Sequence, residues 1–144
     1  ELDNGGESYL IFGVHRVLLE TLARDLGPRA GLIIGATPDP RRRELVRAFQ
    51  EGKIRALVGN ITAMGTGLTL TRATQVVLAE PSWVPGENLQ AVMRAHRHGQ
   101  TSNVTVRWVV GNDPFDKQIV NVLRQKASEL DRLGGGYESY CSVR

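Results

Sequence analysis

The sequence predicts an α/β fold built on one open, mainly parallel sheet with helices on both faces. Three observations predict it. Short runs rich in Val, Ile and Leu recur and stay apolar without alternating, as strands buried on both sides do. Between them, apolar residues recur at helical spacing. The chain has 144 residues, 41% hydrophobic and 23% charged, an ordinary balance for one globular domain.

Each element follows in order. Tyr9–Val14 reads as the first strand, and Val17 to Leu26 as a helix with Leu18, Leu19, Leu22 and Leu26 on one stripe. Gly31–Gly35 is the second strand. The second helix is punctuated at both ends: Asp39 can cap it, Pro40 suits its first position, and Gly52 follows it. Leu45, Val46 and Phe49 would face inward, leaving Arg41, Arg42, Arg43 and Arg47 largely outside. Ile54–Gly59 and Gln75–Glu80 are the third and fourth strands. A third helix runs from near Pro85 to about Arg97, and Val104–Val110 forms the fifth strand. Asp113-Pro114 repeats the cap-plus-proline signal and opens a last helix with Phe115, Ile119, Val122, Leu123 and Leu130 inward. Gly134-Gly135-Gly136 then reads as an exit, so residues 1–133 form the folded unit and 134–144 a flexible Gly-rich tail.

Composition excludes several classes. The single cysteine, Cys141, can build neither an internal disulfide nor a Cys-rich zinc site, which points to a reducing compartment. No apolar run approaches the ~20 residues of a membrane span, and no signal peptide opens the chain. The first residue is Glu1 rather than Met, which raises the expectation of a piece cut from something longer. Net charge is +3 and unevenly placed: no Asp or Glu occurs between Glu51 and Glu80, nor between Glu87 and Asp113. Those stretches hold Lys53, Arg55, Arg72, Arg94, Arg97 and Arg107, a field that favours phosphates on a nucleotide or a nucleic-acid backbone. A solubilising basic surface explains the same charges, and charge alone does not choose.

The third helix is the most informative segment. Gln90, Arg94 and Arg97 stand at i, i+4 and i+7 on one face, opposite a core stripe of Leu89, Val92, Met93 and His96. An amide and two guanidiniums so placed could grip one extended anion, since guanidinium forks match phosphate oxygens in two-point contacts. Most helices with two arginines on a wet face are merely solvated. The loop after the third strand, Asn60 to Leu68, offers Gly65 and Gly67 for close backbone approach to a ligand and hydroxyls on Thr62 and Thr66. Tight turns use such glycines too, and the third glycine of a dinucleotide fingerprint is absent. Other chemistry lacks support. The only Gly-Lys pair, Gly52-Lys53, is followed by Ile54, so there is no phosphate-binding P-loop. No Asp-Glu dipeptide is present to hold magnesium. His15, His96 and His98 show no metal-ligand spacing, and Ser8, Ser82 and Ser102 have no nucleophile-elbow context.

The run Gln90-Ala91-Val92-Met93-Arg94-Ala95-His96-Arg97-His98-Gly99-Gln100 closely resembles motif VI of SWI/SNF-type ATPases in helicase superfamily two, roughly QAxxRxHRxGQ. TAMGTGLTLTRATQVVLAEPSW resembles motif V and its following strand, with Trp83 and Pro85 in the family's Trp-x-Pro position. LIFGVHRVLLETL resembles motif IV, and IIGATPDPRRRELVRAFQ the helix segment after it. Order and spacing agree over roughly residues 8–130, closest to small annealing-helicase-like bacterial or phage members. His98 departs from the usual Ile, and Val84 and Thr69 from a common Asn.

The resemblance implies the second RecA-like lobe of a two-lobe motor, an ATP-dependent DNA translocase or helicase. It implies ATP and Mg2+ as cofactors, held mainly by an N-terminal RecA-like lobe that carries the P-loop and acidic pair. Arg97 would then be the arginine finger, with Arg94 beside it and Gln90 supporting, while Gly65 and Gly67 lie near the nucleotide. Thr62 would touch a DNA phosphate, and Lys53 and Arg72 would add sequence-independent backbone contacts. Partners are thus DNA and the N-terminal lobe, with no membrane. The location is cytoplasmic, at a bacterial nucleoid or in a phage-infected cell, or the nucleus in a eukaryote. By itself the chain should hydrolyse no ATP. The alternatives are a non-catalytic nucleic-acid-binding RecA-like scaffold and an unrelated small α/β nucleotide-binding protein.

Overall fold

The computed structural model describes residues 6–64 and 67–111, with 114, 117, 118, 120–122 and 125 beyond them. Five strands form one parallel sheet: β1 (Tyr9–Gly13), β2 (Ala30–Ile33), β3 (Ala56–Asn60), β4 (Gln75–Leu78) and β5 (Thr105–Trp108), in the spatial order β2-β3-β1-β4-β5. β1 sits in the middle, Tyr9 lying opposite Ala56 on one side and Gln75 on the other. All five strand positions agree with the apolar runs in the sequence to within a few residues at their ends.

Four helices connect them: α1 (Arg16–Leu26), α2 (Asp39–Gln50), α3 (Ile61–Met64) and α4 (Pro85–Val92). The main core lies on one face, where Leu10 and Phe12 of β1, Leu57 of β3 and Val76 and Leu78 of β4 meet Leu45 and Phe49 of α2, Met64 of α3 and Ala91 and Val92 of α4. Leu19 of α1 is also fully buried but stands outside that cluster, and α1 packs on β1, β2 and β3. Helices therefore cover both faces, as right-handed crossovers running in opposite directions from a central strand require.

Three expectations need correction. The cap of α2 falls on Pro38, whose carbonyl accepts the Arg42 amide at 2.9 Å, so Asp39 opens the helix as a first-turn acid instead of capping it. α4 stops at Val92 and not near Arg97. Beyond it the Arg94 and Ala95 amides reach back only three residues, to Ala91 and Val92, and the Arg94 carbonyl is taken by the Leu70 amide at 3.1 Å. That carbonyl would have continued the helical ladder. The core stripe consequently rotates: Asn88, Ala91, Val92 and Ala95 are buried, whereas Met93 is 38% exposed and His96 faces solvent. In the final stretch the described residues are helical, with Val120 buried and Val122 half-buried. Asp113, Phe115, Ile119, Leu123, Leu130 and the tail 134–144 lie outside the described residues.

Candidate functional site

The parallel sheet gives the molecule two unlike edges. At the carboxyl edge, where strands hand over to helices, side chains from three strand ends lock the loops. Asn60, at the end of β3, donates from its amide to the Val14 carbonyl at 2.8 Å and accepts from both the Thr62 amide (3.0 Å) and the Thr62 hydroxyl (2.5 Å). Glu80, just after β4, accepts from the Val14 and His15 amides at 3.1 and 2.8 Å and meets His15 Nδ1 at 3.0 Å. Burial pushes the Glu80 carboxyl up, but the His15 and Val14 hydrogen bonds outweigh it and hold its pKa below the ordinary 4.5. Thr62 is exposed on α3 at this edge. A cavity of about 400 Å³ opens at the ends of β1 and β4, walled by Val14, Leu18, Trp83 and Val109 and by the polar side chains of His15 and Glu80.

The opposite, amino edge is basic. Arg29, Lys53 and Arg55 line a second cavity of about 330 Å³ there, next to Gly52. Lys53 pairs with Glu51 at 2.6 Å, which lowers the Glu51 pKa. Arg72 donates from Nη1 to the Phe49 carbonyl at 3.1 Å and so closes the end of α2. Gly52 lies against that guanidinium with φ +79°, so a side chain there would collide with it. The three DNA-contact candidates are therefore not brought together. Lys53 and Arg72 belong to the amino edge and Thr62 to the carboxyl edge, because one precedes its strand and the other follows it.

Arg94 and Arg97 sit in the turn after α4. Arg97 is exposed and donates from Nη1 to the Thr69 hydroxyl at 3.1 Å. Arg94 is half-buried; burial first, then the Arg97 charge, push its pKa down, so the two guanidiniums feel each other. Arg94 keeps its charge all the same, an arginine being effectively always protonated. Gln90 is exposed on α4 itself, two residues before the helix ends, so the single helical face expected for Gln90, Arg94 and Arg97 is interrupted between its first and second members. Gly67 has φ +73° with open space around it, a backbone conformation that favours glycine. Gly65 lies outside the described residues.

The start of α4 is held by a compact network. Ser82 and Asn88 exchange backbone-to-side-chain bonds at 2.8 Å in both directions, and the Ser82 hydroxyl donates to Glu87 at 2.5 Å. Three residues that the sequence did not single out for a role hold the surrounding loops: Asn60 and Glu80 at the carboxyl edge, and Gln100, whose side-chain amide bonds the Thr71, Ala73 and Ala95 carbonyls. Glu80 carried a signal, as the one acidic residue between Glu51 and Glu87. Gln100 carried one too, as the closing amide of the run that begins at Gln90.

Residues 2–99 match the family described as helicase conserved C-terminal domain. A homologue in Caenorhabditis elegans of the SWI/SNF-related matrix-associated actin-dependent regulator of chromatin subfamily A-like protein 1 is 40% identical over 129 residues, 87% of this chain and 18% of that protein. The bovine DNA annealing helicase and endonuclease ZRANB3 is 36% identical over 130 residues, 88% of this chain and 12% of that protein. Among solved structures, the C-terminal part of the Fun30 ATPase domain superposes with a TM-score of 0.73 at 30% identity, covering 81% of this chain and 39% of that one. The chain thus spans less than a fifth of the length of these curated relatives. With its parallel five-stranded RecA-like sheet and its ordered motifs, the chain belongs to the helicase conserved C-terminal domain family, in its SWI/SNF type.

Proposed function

We propose that this chain works as the second motor lobe of an ATP-dependent DNA translocase or helicase. Arg97 and Arg94 would face the nucleotide across a cleft, completed by an N-terminal RecA-like lobe. The observation that carries the reading is the turn after α4, which presents two neighbouring guanidiniums outside the core and ties one of them to Thr69. ATP with Mg2+ supplies the phosphoryl group whose transfer drives such a motor. This chain's own side chains fit the phosphates: guanidinium forks match their oxygens. Among the described residues no three His, Cys, Asp or Glu side chains gather that could hold a metal, and the two guanidiniums, being cationic, are no ligands for one. Magnesium falls to the other lobe in this reading. Arg97 would stabilise the charge that grows as the γ-phosphoryl bond breaks, Arg94 would neutralise phosphate beside it, and Gln90 would support them from α4. Gly67, with Gly65, would allow the backbone close to the nucleotide.

DNA would run along the carboxyl edge. Thr62 is exposed there, and its hydroxyl, which donates to Asn60 Oδ1 in this structure, would turn its proton outward to a backbone phosphate. Lys53 would serve a phosphate only as part of the separate amino-edge patch, where Arg72 is already engaged with Phe49. Such a motor works where DNA is, in the nucleus of a eukaryotic cell or at a bacterial nucleoid. No helix among the described residues is long and apolar enough to cross a membrane. The test is steady-state ATP hydrolysis by the full-length protein with Arg97 replaced. A large loss of turnover on replacing Arg97 supports the motor reading, unchanged turnover removes Arg97 from the reacting site, and a natural full-length protein with no turnover at all favours the non-catalytic scaffold.

A further inference from the structure

We propose that Gln100 is a positioning residue that sets Arg97 for phosphoryl transfer by clamping the turn after α4 to residues 69–73. The role rests on the reading of Arg97 as the finger. Gln100 is half-buried, and its Nε2 lies 2.8 Å from the Thr71 carbonyl, 2.9 Å from that of Ala73 and 3.2 Å from that of Ala95. Its Oε1 accepts the Ser102 amide at 2.9 Å. Two N–H groups thus serve three carbonyls while the oxygen is also used, and a flipped amide would set oxygen against oxygen three times over. One orientation is therefore strongly favoured.

The clamp matters because the turn has no helix to hold it. α4 ends at Val92, and past it the amides reach back only two to four residues. What fixes the turn in space is its cross-links to the stretch before β4: the Leu70 amide on the Arg94 carbonyl, Arg97 on Thr69, and Gln100 on Thr71 and Ala73. Ala95 is central. Its carbonyl accepts both the Arg97 amide, at 3.1 Å, and the Gln100 side chain, while its methyl is fully buried. The Gln100 amide in turn bonds the Arg97 carbonyl at 3.0 Å. Arg97 is thereby held on both sides by groups that Gln100 anchors, although Gln100 itself touches no phosphate in this scheme.

Removing Gln100 leaves the apolar core intact but frees the turn. Misplacing a catalytic group by about 1 Å costs on the order of 10²-fold in rate. The experiment is a double-mutant cycle in the full-length protein, with Gln100→Ala, Arg97→Ala and both together. The readouts are kcat, KM for ATP, ADP affinity, and binding of ADP with aluminium fluoride as a mimic of the transferring phosphoryl group. Gln100→Ala is expected to lower kcat by about 10²-fold and weaken the mimic, with ADP affinity and KM little changed. The double variant should be no slower than Arg97→Ala, since the two act through one group. Normal kcat in Gln100→Ala beside an impaired Arg97→Ala overturns the assignment and leaves the finger standing, as do losses that multiply in the double variant. Intact turnover in Arg97→Ala removes the finger, and the Gln100 role goes with it. Should Gln100→Ala fail to fold, Gln100→Glu keeps the volume, exchanges the donors for acceptors and goes through the same cycle.

Discussion

A guanidinium that stabilises charge only while a bond is breaking leaves little trace on folding. Arg97 is exposed and opens no cavity when truncated, so Arg97→Ala should lower kcat of the full-length protein by about 10³-fold or more with an unchanged melting temperature for the chain. Arg97→Lys should rescue poorly, because a point charge cannot reproduce the planar fork. Met93 gives the converse control. Helical periodicity assigns it to the core, yet it is 38% exposed once α4 ends early. Met93→Ala should then cost under about 1 kcal/mol, as surface changes do, against about 3–5 kcal/mol for Phe49→Ala in the core. Paired thermal melts decide. Glu80 supplies a pH signature. Its folded pKa lies below the ordinary 4.5, so its contribution is present above that value and is lost as pH falls through the folded pKa. Glu80→Gln should destabilise the chain at neutral pH, with a deficit that shrinks below pH 4.5; denaturant titrations across that range show it, and a deficit that stays constant would contradict the His15 and Val14 contacts.

At the scale of elements, the strands were legible because a parallel sheet buries both faces, and an uninterrupted apolar run such as Ala56-Leu57-Val58-Gly59 has few other uses. The end of α4 was not legible. No glycine or proline follows Val92 closely; past the helix end the amides switch to three-residue bonds, and the Arg94 carbonyl is bonded by Leu70, more than twenty residues earlier, a tertiary contact that local sequence does not announce. The separation of Thr62 from Lys53 and Arg72 was hidden for a related reason. Charge along a sequence says nothing about which edge of a parallel sheet a loop occupies, whereas strand direction decides it. Within β3, Gly59 joins two elements closely: a Cβ there would run into the Met64 side chain and lie 2.5 Å from the Ile33 carbonyl oxygen. Gly59→Ala should therefore push α3 off the sheet and cost about 1–3 kcal/mol, the range for overpacked cores. A thermal melt measures it, and a neutral result would mean that α3 can shift freely.

For the whole molecule, the expected behaviour alone is quiet. The purified chain should release phosphate from ATP only at background rate, with or without DNA, and bind random duplex and single strands weakly, with affinity falling as salt rises. DNA-stimulated turnover by the chain on its own, or salt-independent binding to one sequence, would contradict the two-lobe reading. The place of β1 in the sheet has a consequence in time as well. It leaves the ribosome first of the five strands, yet its partners are residues 56–60 and 75–78, and no strand of this sheet pairs with an immediate hairpin neighbour. Until both partners have been synthesised, this largely buried apolar strand waits with two open edges, a template for any passing strand. Long-range parallel pairing is also slow to form. The nascent chain should therefore need shielding longest at Tyr9–Gly13, and this strand should reach full protection from exchange only after Leu78 has emerged, its β3-facing amides such as that of Tyr9 being protectable earlier.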